Sequence, residues 1–126
     1  MTESSSGQRT VLAVDDSKVM QEIILRALQA EYEVLVADNA VDALAAICHR
    51  RVDLMLLDVS MPDIDGLELC RTVRSMPQFQ HLPIIMLTSR NSPFDRVQGR
   101  VAGATEYITK PFEPEQLRQT ICQVLA

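Results

Sequence analysis

The sequence has no apolar run of the length that a membrane-spanning helix needs. Its first eight residues, Met1 to Gln8, are polar and rich in Ser, and they contain no apolar segment of the kind found in a signal peptide. We therefore expect a cytoplasmic protein without membrane insertion. We also expect residues 1–8 to form a disordered tail, because a short polar terminus has little to pack against a core.

No run of Lys or Arg occurs in the chain, and its formal net charge at pH 7 is −5. Proteins that bind nucleic acid or anionic membranes usually carry clusters of positive charge, so the composition argues against direct binding to nucleic acid. Other proteins are the expected partners.

Cysteine is scarce as well. Cys48, Cys70 and Cys122 are odd in number and widely spaced, and each lies in a helical pattern near apolar residues. We expect three buried thiols in a reducing compartment, and neither a disulfide framework nor a zinc site.

The apolar residues alternate along the chain between short continuous runs and stretches with helical spacing. Continuous runs are typical of parallel strands that are buried on both faces. They predict five strands, each followed by a helix, at residues 11–14, 33–37, 52–57, 82–87 and 106–108. A chain of 126 residues with 47% hydrophobic content can bury one core and leaves no room for a second, so we predict one α/β domain at residues 9–126.

Helical spacing and capping residues define the expected helices. Asn39 and Ser92 are the expected N-caps of the second and fourth helices, and Gly103 suits the end of the fourth. The fourth helix also contains Gly99, and its apolar stripe is thin, so we expect it to be less rigid than the others. The expected core-facing residues are Val19, Met20, Ile23, Ile24, Ala27 and Leu28 in the first helix, Ala40, Ala43, Leu44, Ile47 and Cys48 in the second, and the stripe Phe94, Val97 and Val101 in the fourth.

Polar residues with a shared chemistry stand where the apolar runs stop. Asp15 and Asp16 follow the first run, Asp58 the third, Thr88 the fourth and Lys110 the fifth. The carboxyl ends of parallel strands lie at one edge of the sheet, which is where ligands bind in open α/β folds. Adjacent acids after one strand are often only a turn and a cap. A third carboxylate, a hydroxyl and an ammonium at the same edge instead indicate a site for Mg²⁺, with Mn²⁺ as an alternative, and a phosphoryl group.

The same residues lie in motifs that resemble those of bacterial two-component response-regulator receiver domains, and the chain is similar to the single-domain chemotaxis type. The resemblance covers residues 11 to about 125. Its motifs are Val14-Asp15-Asp16-Ser17, Leu57-Asp58-Val59-Ser60-Met61-Pro62, Thr88-Ser89 and Tyr107-Ile108-Thr109-Lys110-Pro111-Phe112. The resemblance implies a flavodoxin-like, doubly wound fold with a five-stranded parallel sheet in the order 2-1-3-4-5 and five flanking helices.

The resemblance also implies a role for each site residue. Asp58 would be the phospho-acceptor, and Asp16 and Asp58 would bind Mg²⁺ directly together with the backbone carbonyl of Ser60. Asp15 would act through water. Thr88 and Lys110 would hold the phosphoryl oxygens, Tyr107 would be a rotating switch residue coupled to Thr88, and the Lys110–Pro111 peptide bond would be cis.

The implied function is that of a phosphoprotein in a phosphorelay. The donor would be a sensor histidine kinase or a phosphotransfer protein, and His49 and His81 are expected to be ordinary surface residues. The response would be carried to a downstream protein by the face formed by helix four, strand five and helix five. Such a protein transfers a phosphoryl group to itself and hydrolyses it, so it is a signalling acceptor more than a metabolic enzyme.

The sequence argues against two other functions and leaves the wider context of the receiver open. A phosphatase of the haloacid-dehalogenase type needs a second Asp two residues after the first, where Ser60 stands, and a pseudo-receiver normally lacks one of the acids, the Thr or the Lys. The chain ends directly after the last helix without a basic linker, which favours a stand-alone protein over a receiver cut from a larger regulator or hybrid kinase. The segments 94–97 and 99–107 give a weaker resemblance to regulators of type IV pilus twitching motility.

Overall fold

The computed structural model describes residues 8–61 and 65–126. Five parallel strands form one sheet in the order β2-β1-β3-β4-β5, which confirms the order that the resemblance implies. The strands are β1 (Arg9–Val14), β2 (Tyr32–Ala37), β3 (Leu54–Asp58), β4 (Ile84–Thr88) and β5 (Glu106–Thr109). The tail expected at residues 1–8 lies outside the described residues except for Gln8, as do residues 62–64 of the loop after β3.

A helix follows every strand, as expected for five βα units. The helices are α1 (Lys18–Leu28), α2 (Ala40–His49), α3 (Gly66–Arg74), α4 (Pro93–Ala102) and α5 (Pro114–Leu125), and a short 3-10 helix, Pro77–Phe79, follows α3. No helix in the described part of the chain is long and apolar enough to cross a membrane.

The sheet separates two cores. Side chains of α2 and α3, with Ala102 of α4, pack on one face, and side chains of α1 and α5 pack on the other. All five residues of β3 and of β4 are buried, because both sheet faces are covered at these central strands. Asp58 and Thr88, which end these strands, are therefore held by strands that are packed on both faces.

The capping predictions are confirmed. The Asn39 side chain accepts a hydrogen bond from the Asp42 backbone N–H at 2.8 Å, and Ser92 forms a reciprocal capping box with Asp95. Gly103 ends α4 with a φ of 114°, a left-handed conformation that favours glycine.

Several apolar side chains expected in the core are instead exposed. Val19 is 70% exposed and Ile23 38%, while the neighbouring Ile24 is buried. Successive helix residues are about 100° apart, so the stripe through positions 20, 24, 27 and 28 turns positions 19 and 23 away from the sheet. The apolar stripe of α4 also faces solvent, with Phe94, Val97 and Val101 each more than half exposed, and Gly99 and Ala102 make the buried contact.

The cysteine prediction is right for one residue and wrong for two. Cys70 is buried, whereas Cys48 and Cys122 are exposed. Each exposed thiol follows a buried isoleucine, Ile47 or Ile121, in its helix. It therefore lies about 100° from the core-facing direction.

Arg74 at the end of α3 binds the α3–β4 connection and the α4–β5 connection at once. Its guanidinium donates to the carbonyl oxygens of Gly103 at 3.0 Å, Phe79 at 2.9 Å and Leu82 at 2.6 Å. These bonds satisfy carbonyls at the end of α4 and before β4. They fix the carboxyl end of α4 to the rest of the domain.

Candidate functional site

The topology brings the predicted site residues to one edge of the sheet. Asp58 and Thr88 end the adjacent strands β3 and β4, Asp15 directly follows β1, and Lys110 directly follows β5. The register pairs Asp58 with Leu87 and Thr88 with Thr109, so the strand ends are level. The ends of the apolar runs therefore predicted correctly that these residues share one edge.

Three carboxylates form a compact cluster at this edge. Asp15, Asp16 and Asp58 each offer an oxygen, and these oxygens all lie within 4.8 Å of one another. Asp15 is 1% exposed and Asp58 is 6% exposed, whereas Asp16 lies at the solvent side. Hard carboxylate oxygens from separate segments, open to water on one side, fit a divalent cation that keeps part of its hydration shell, as Mg²⁺ does.

Lys110 places one positive charge against the two buried acids. Its Nζ atom lies 3.1 Å from Asp15 Oδ2 and 3.5 Å from Asp58 Oδ1, and its side chain is 19% exposed. The Lys110–Pro111 peptide bond is cis, the isomer that the resemblance implies. One ammonium cannot neutralise three carboxylates, so the cluster favours a further cation.

Opposing effects act on the Asp15 carboxyl. Burial raises its pKa, while the hydrogen bond from the Ser17 backbone N–H and the nearby Lys110 lower it, and the charge of Asp58 raises it again. The net direction is upward, because desolvation is the largest effect. The apo site therefore disfavours the charged form of Asp15, which a bound cation would favour.

A chain of hydrogen bonds connects Thr88 with Tyr107. The Thr88 hydroxyl, 1% exposed, accepts a hydrogen bond from the Arg90 backbone N–H at 3.1 Å. The Tyr107 hydroxyl donates to the Arg90 carbonyl at 2.7 Å. The two residues that the resemblance pairs as a switch thus bind the backbone N–H and the backbone carbonyl of the same residue, Arg90.

The Tyr107 ring of β5 lies against α4. The Arg96 guanidinium lies 5.2 Å from the ring centroid and donates to Thr109 Oγ1 at 2.8 Å. On the inner side, a Cβ atom at Gly99 would come within 2.9 Å of the ring. Gly99 therefore gives the ring its space, a role that sequence reasoning did not assign to it.

Ser60 and the start of α3 lie close to Asp58. The Ser60 backbone N–H donates to Asp58 Oδ1 at 3.1 Å, and Ser60 forms an isolated bridge with Asp65. Gly66 opens α3 against this backbone, where an added Cβ atom would lie 2.6 Å from the Asp58 carbonyl oxygen and 2.6 Å from Val59 Cα. The sequence indicates only a turn at Gly66, whereas the structure shows that the missing side chain lets the start of α3 approach the Asp58 backbone.

Replacing Gly66 by Ala should destabilise the protein by roughly 1–3 kcal/mol, because the new methyl group meets backbone atoms that cannot rotate away. Urea unfolding of the variant measures this free energy. Gln119→Ala, at an exposed position of α5, is the control and should leave stability close to that of the parent. An unchanged unfolding midpoint in Gly66→Ala would show that the helix start can move away from Asp58.

Comparisons with known proteins agree with this geometry. Residues 11–122 match the response regulator receiver domain family. The chain is 43% identical over 116 residues to the response regulator MprA of Mycobacterium leprae, covering 91% of this chain and 50% of MprA. It is 42% identical over 118 residues to the phosphate regulon transcriptional regulatory protein PhoB of Pseudomonas aeruginosa, covering 93% of this chain and 52% of PhoB. The chain thus spans about half the length of these curated relatives.

A solved structure matches over nearly the full length of both proteins. The chemotaxis protein CheY4 of Vibrio cholerae superposes with a TM-score of 0.90 at 40% identity, covering 94% of this chain and 100% of that one. A putative response regulator from Chloroflexus aurantiacus gives a TM-score of 0.84 at 39% identity, covering 94% of this chain and 98% of that one.

Proposed function

The chain belongs to the response regulator receiver domain family, and from this premise we propose that it accepts one phosphoryl group on Asp58 in a Mg²⁺-dependent reaction. The observation that carries the proposal is the position of Asp58. It ends the central strand β3, shares the carboxylate cluster with Asp15 and Asp16, and lies 3.5 Å from the Lys110 ammonium.

The proposed transfer forms one bond and breaks one. A carboxylate oxygen of Asp58 attacks the phosphorus of a phosphohistidine on a donor protein, the P–N bond breaks, and the electron pair stays on the imidazole nitrogen. Lys110 lies beside Asp58 and offsets the negative charge on the phosphoryl oxygens. The Thr88 hydroxyl donates to one of those oxygens.

Receiver domains generally bind Mg²⁺ at an acidic pocket, and the donor set of this chain fits that ion. In the proposal Asp16, Asp58 and the Ser60 carbonyl would hold it directly, and Asp15 through water. The bound ion would supply the positive charge that lets an anionic carboxylate meet an anionic phosphoryl group.

Hydrolysis of the phosphorylated Asp58 side chain takes place at the same site. Water attacks the phosphorus of the acyl phosphate, the bond between phosphorus and the Asp58 oxygen breaks, and inorganic phosphate leaves with the Asp58 carboxylate restored. The protein is therefore acceptor and phosphatase for its own phosphoryl group, without a metabolic substrate.

The surface formed by α4, β5 and α5 is proposed to transmit the phosphorylation signal to a partner protein. A phosphoryl group that attracts the Thr88 hydroxyl would break its bond with Arg90, whose carbonyl holds Tyr107. The Tyr107 ring lies against α4 at Gly99, so its movement would change the surface on which Phe94 and Val97 are exposed. A downstream protein would bind that surface.

A second context for the same chemistry is supported by the curated relatives. Because the chain spans about half of MprA and PhoB, the receiver at residues 9–126 can also serve as one part of a longer response regulator. A receiver of a hybrid kinase stays a prediction. The similarity to a chemotaxis protein over that protein's whole length supports the single-domain alternative. Twitching motility stays a prediction.

Labelling of the intact protein tests the proposed function. Incubation with a small phosphodonor and Mg²⁺ should add one phosphoryl group to the mass of the protein. Chelation of the metal should prevent the addition, because the carboxylates cannot offset phosphoryl charge themselves. Full labelling in the presence of a chelator would overturn the metal-dependent mechanism.

Asp16→Ala should weaken Mg²⁺ binding by more than about tenfold, because it removes one of two side chains proposed to bind the ion directly. An NMR titration of backbone amides measures this affinity. Asp38→Ala is the matched control, since Asp38 follows β2 at the same sheet edge but lies outside the cluster. If Asp16→Ala and Asp38→Ala weaken Mg²⁺ binding by the same factor relative to the parent, the negative charge of the edge matters and Asp16 is not a ligand.

A further inference from the structure

Asp16 is the acid of the cluster that has the least direct support. Asp15 accepts from the Ser17 backbone N–H and pairs with Lys110, and Asp58 accepts from the Ser60 backbone N–H and pairs with Lys110. Within residues 8–61 and 65–126, no donor binds the Asp16 carboxylate. The position of the Asp16 carboxylate in the cluster therefore depends on the conformation of the Asp16 backbone.

A side chain of α1 holds that backbone. Gln21 Nε2 donates to the Asp15 carbonyl oxygen at 2.6 Å in a partly buried contact. The donor is well anchored, because the Gln21 backbone N–H donates to the Ser17 carbonyl and the Ser17 side chain caps α1 at Met20. The first turn of α1 is thus hydrogen-bonded through Gln21 to Asp15, the residue that follows β1.

The contact acts on the peptide group between the two adjacent acids. The Asp15 carbonyl oxygen and the Asp16 nitrogen belong to one planar unit, so fixing the oxygen fixes the orientation of the whole plane. The next residue is held as well, since the Ser17 backbone N–H donates to Asp15 Oδ1 at 2.9 Å. Between these two constraints, the direction of the Asp16 Cα–Cβ bond has little freedom.

We infer that Gln21 is a positioning residue for the metal site, which sets the Asp15–Asp16 peptide so that the Asp16 carboxylate meets those of Asp15 and Asp58. This inference rests on the proposed function, because it concerns the ion that the cluster would bind. Gln21 itself need not touch the ion. Its contribution is preorganisation, since a carboxylate already held near the other two loses less freedom on binding.

Two variants separate positioning from charge. Gln21→Met keeps the length of the side chain and removes the N–H donor. Gln21→Glu keeps the shape, loses the donor and adds a negative charge, which by simple electrostatics should attract Mg²⁺. We expect the dissociation constant for Mg²⁺ to rise roughly tenfold in the Met variant and to rise also in the Glu variant, despite the added charge.

The measurements are an NMR titration with Mg²⁺ and the phosphorylation rate as a function of Mg²⁺ concentration. In Gln21→Met the Mg²⁺ concentration at half-maximal rate should rise, and excess Mg²⁺ should restore the rate. Gln119→Met on α5 is the matched control and should bind Mg²⁺ as the parent does.

An unchanged affinity in Gln21→Met, or a tighter affinity in Gln21→Glu, would overturn the inference. Both outcomes leave the proposed function intact as long as Asp16→Ala loses the ion. Conversely, normal Mg²⁺ binding in Asp16→Ala would refute the proposed metal site itself.

Discussion

Asp58→Asn should abolish phosphorylation completely, with no mass gain after incubation with phosphodonor and Mg²⁺. The amide has nearly the shape of the carboxylate and keeps an oxygen that can accept from the Ser60 backbone N–H, so Ser60 should keep its position beside residue 58. An amide oxygen carries no negative charge and is a poor nucleophile towards phosphorus. The loss would therefore reflect chemistry and not misfolding.

The control for this experiment is Asp53→Asn. Asp53 accepts from the Thr10 backbone N–H before β3, at the opposite end of the strand from Asp58. It should be labelled as the parent is. Transfer of one phosphoryl group to the Asp58→Asn protein would show that another residue, Asp15 or Asp16, is the acceptor.

Thr88→Ala should separate phosphorylation from the conformational response. The variant keeps Asp58, Lys110 and the carboxylate cluster, so it should still gain one phosphoryl group. It loses the hydroxyl that accepts from Arg90, and with it the connection to the Tyr107 hydroxyl. NMR chemical shifts at residues 97–107 should then change much less on binding of a phosphoryl mimic than they do in the parent.

The size of the expected effect follows from population shifts. If the resting protein holds the active arrangement at a few per cent, phosphorylation must favour it by roughly 2–4 kcal/mol to make it dominant. Thr72→Ala is the matched control, because the Thr72 hydroxyl donates to the Glu68 carbonyl of its own helix and, among the described residues, has no hydrogen bond to Arg90 or Tyr107. Full-size shifts in Thr88→Ala would leave Lys110 as the main transmitter of the signal.

The sequence predicted the five strands, the caps of α2 and α4, and the edge of the sheet that carries the acids. These features depend on local pattern and on one general rule, that strand ends meet at one edge. The strand order came from the resemblance, since apolar runs do not say which strands are neighbours. The hypothesis of metal and phosphate chemistry rests on Asp58, Thr88 and Lys110, each of which stands where an apolar run ends.

Other features depend on three-dimensional packing and left no readable signal. Val19 and Cys48 fit an apolar helical stripe, yet each lies just outside the arc that contacts the sheet. Gln21 looks like an ordinary solvated residue of α1 until its bond to the Asp15 carbonyl is seen. The role of Gly99 appears only when the Tyr107 ring is placed beside it.

Reductive trapping can show whether the phosphoryl group is bound to the Asp58 carboxylate. Borohydride converts an acyl phosphate of aspartate into homoserine, so the labelled protein can be reduced, digested and sequenced by tandem mass spectrometry. We expect homoserine at position 58 and aspartate unchanged at positions 15 and 16. Homoserine at either of those positions, or a labelled protein without homoserine at position 58, would contradict the account.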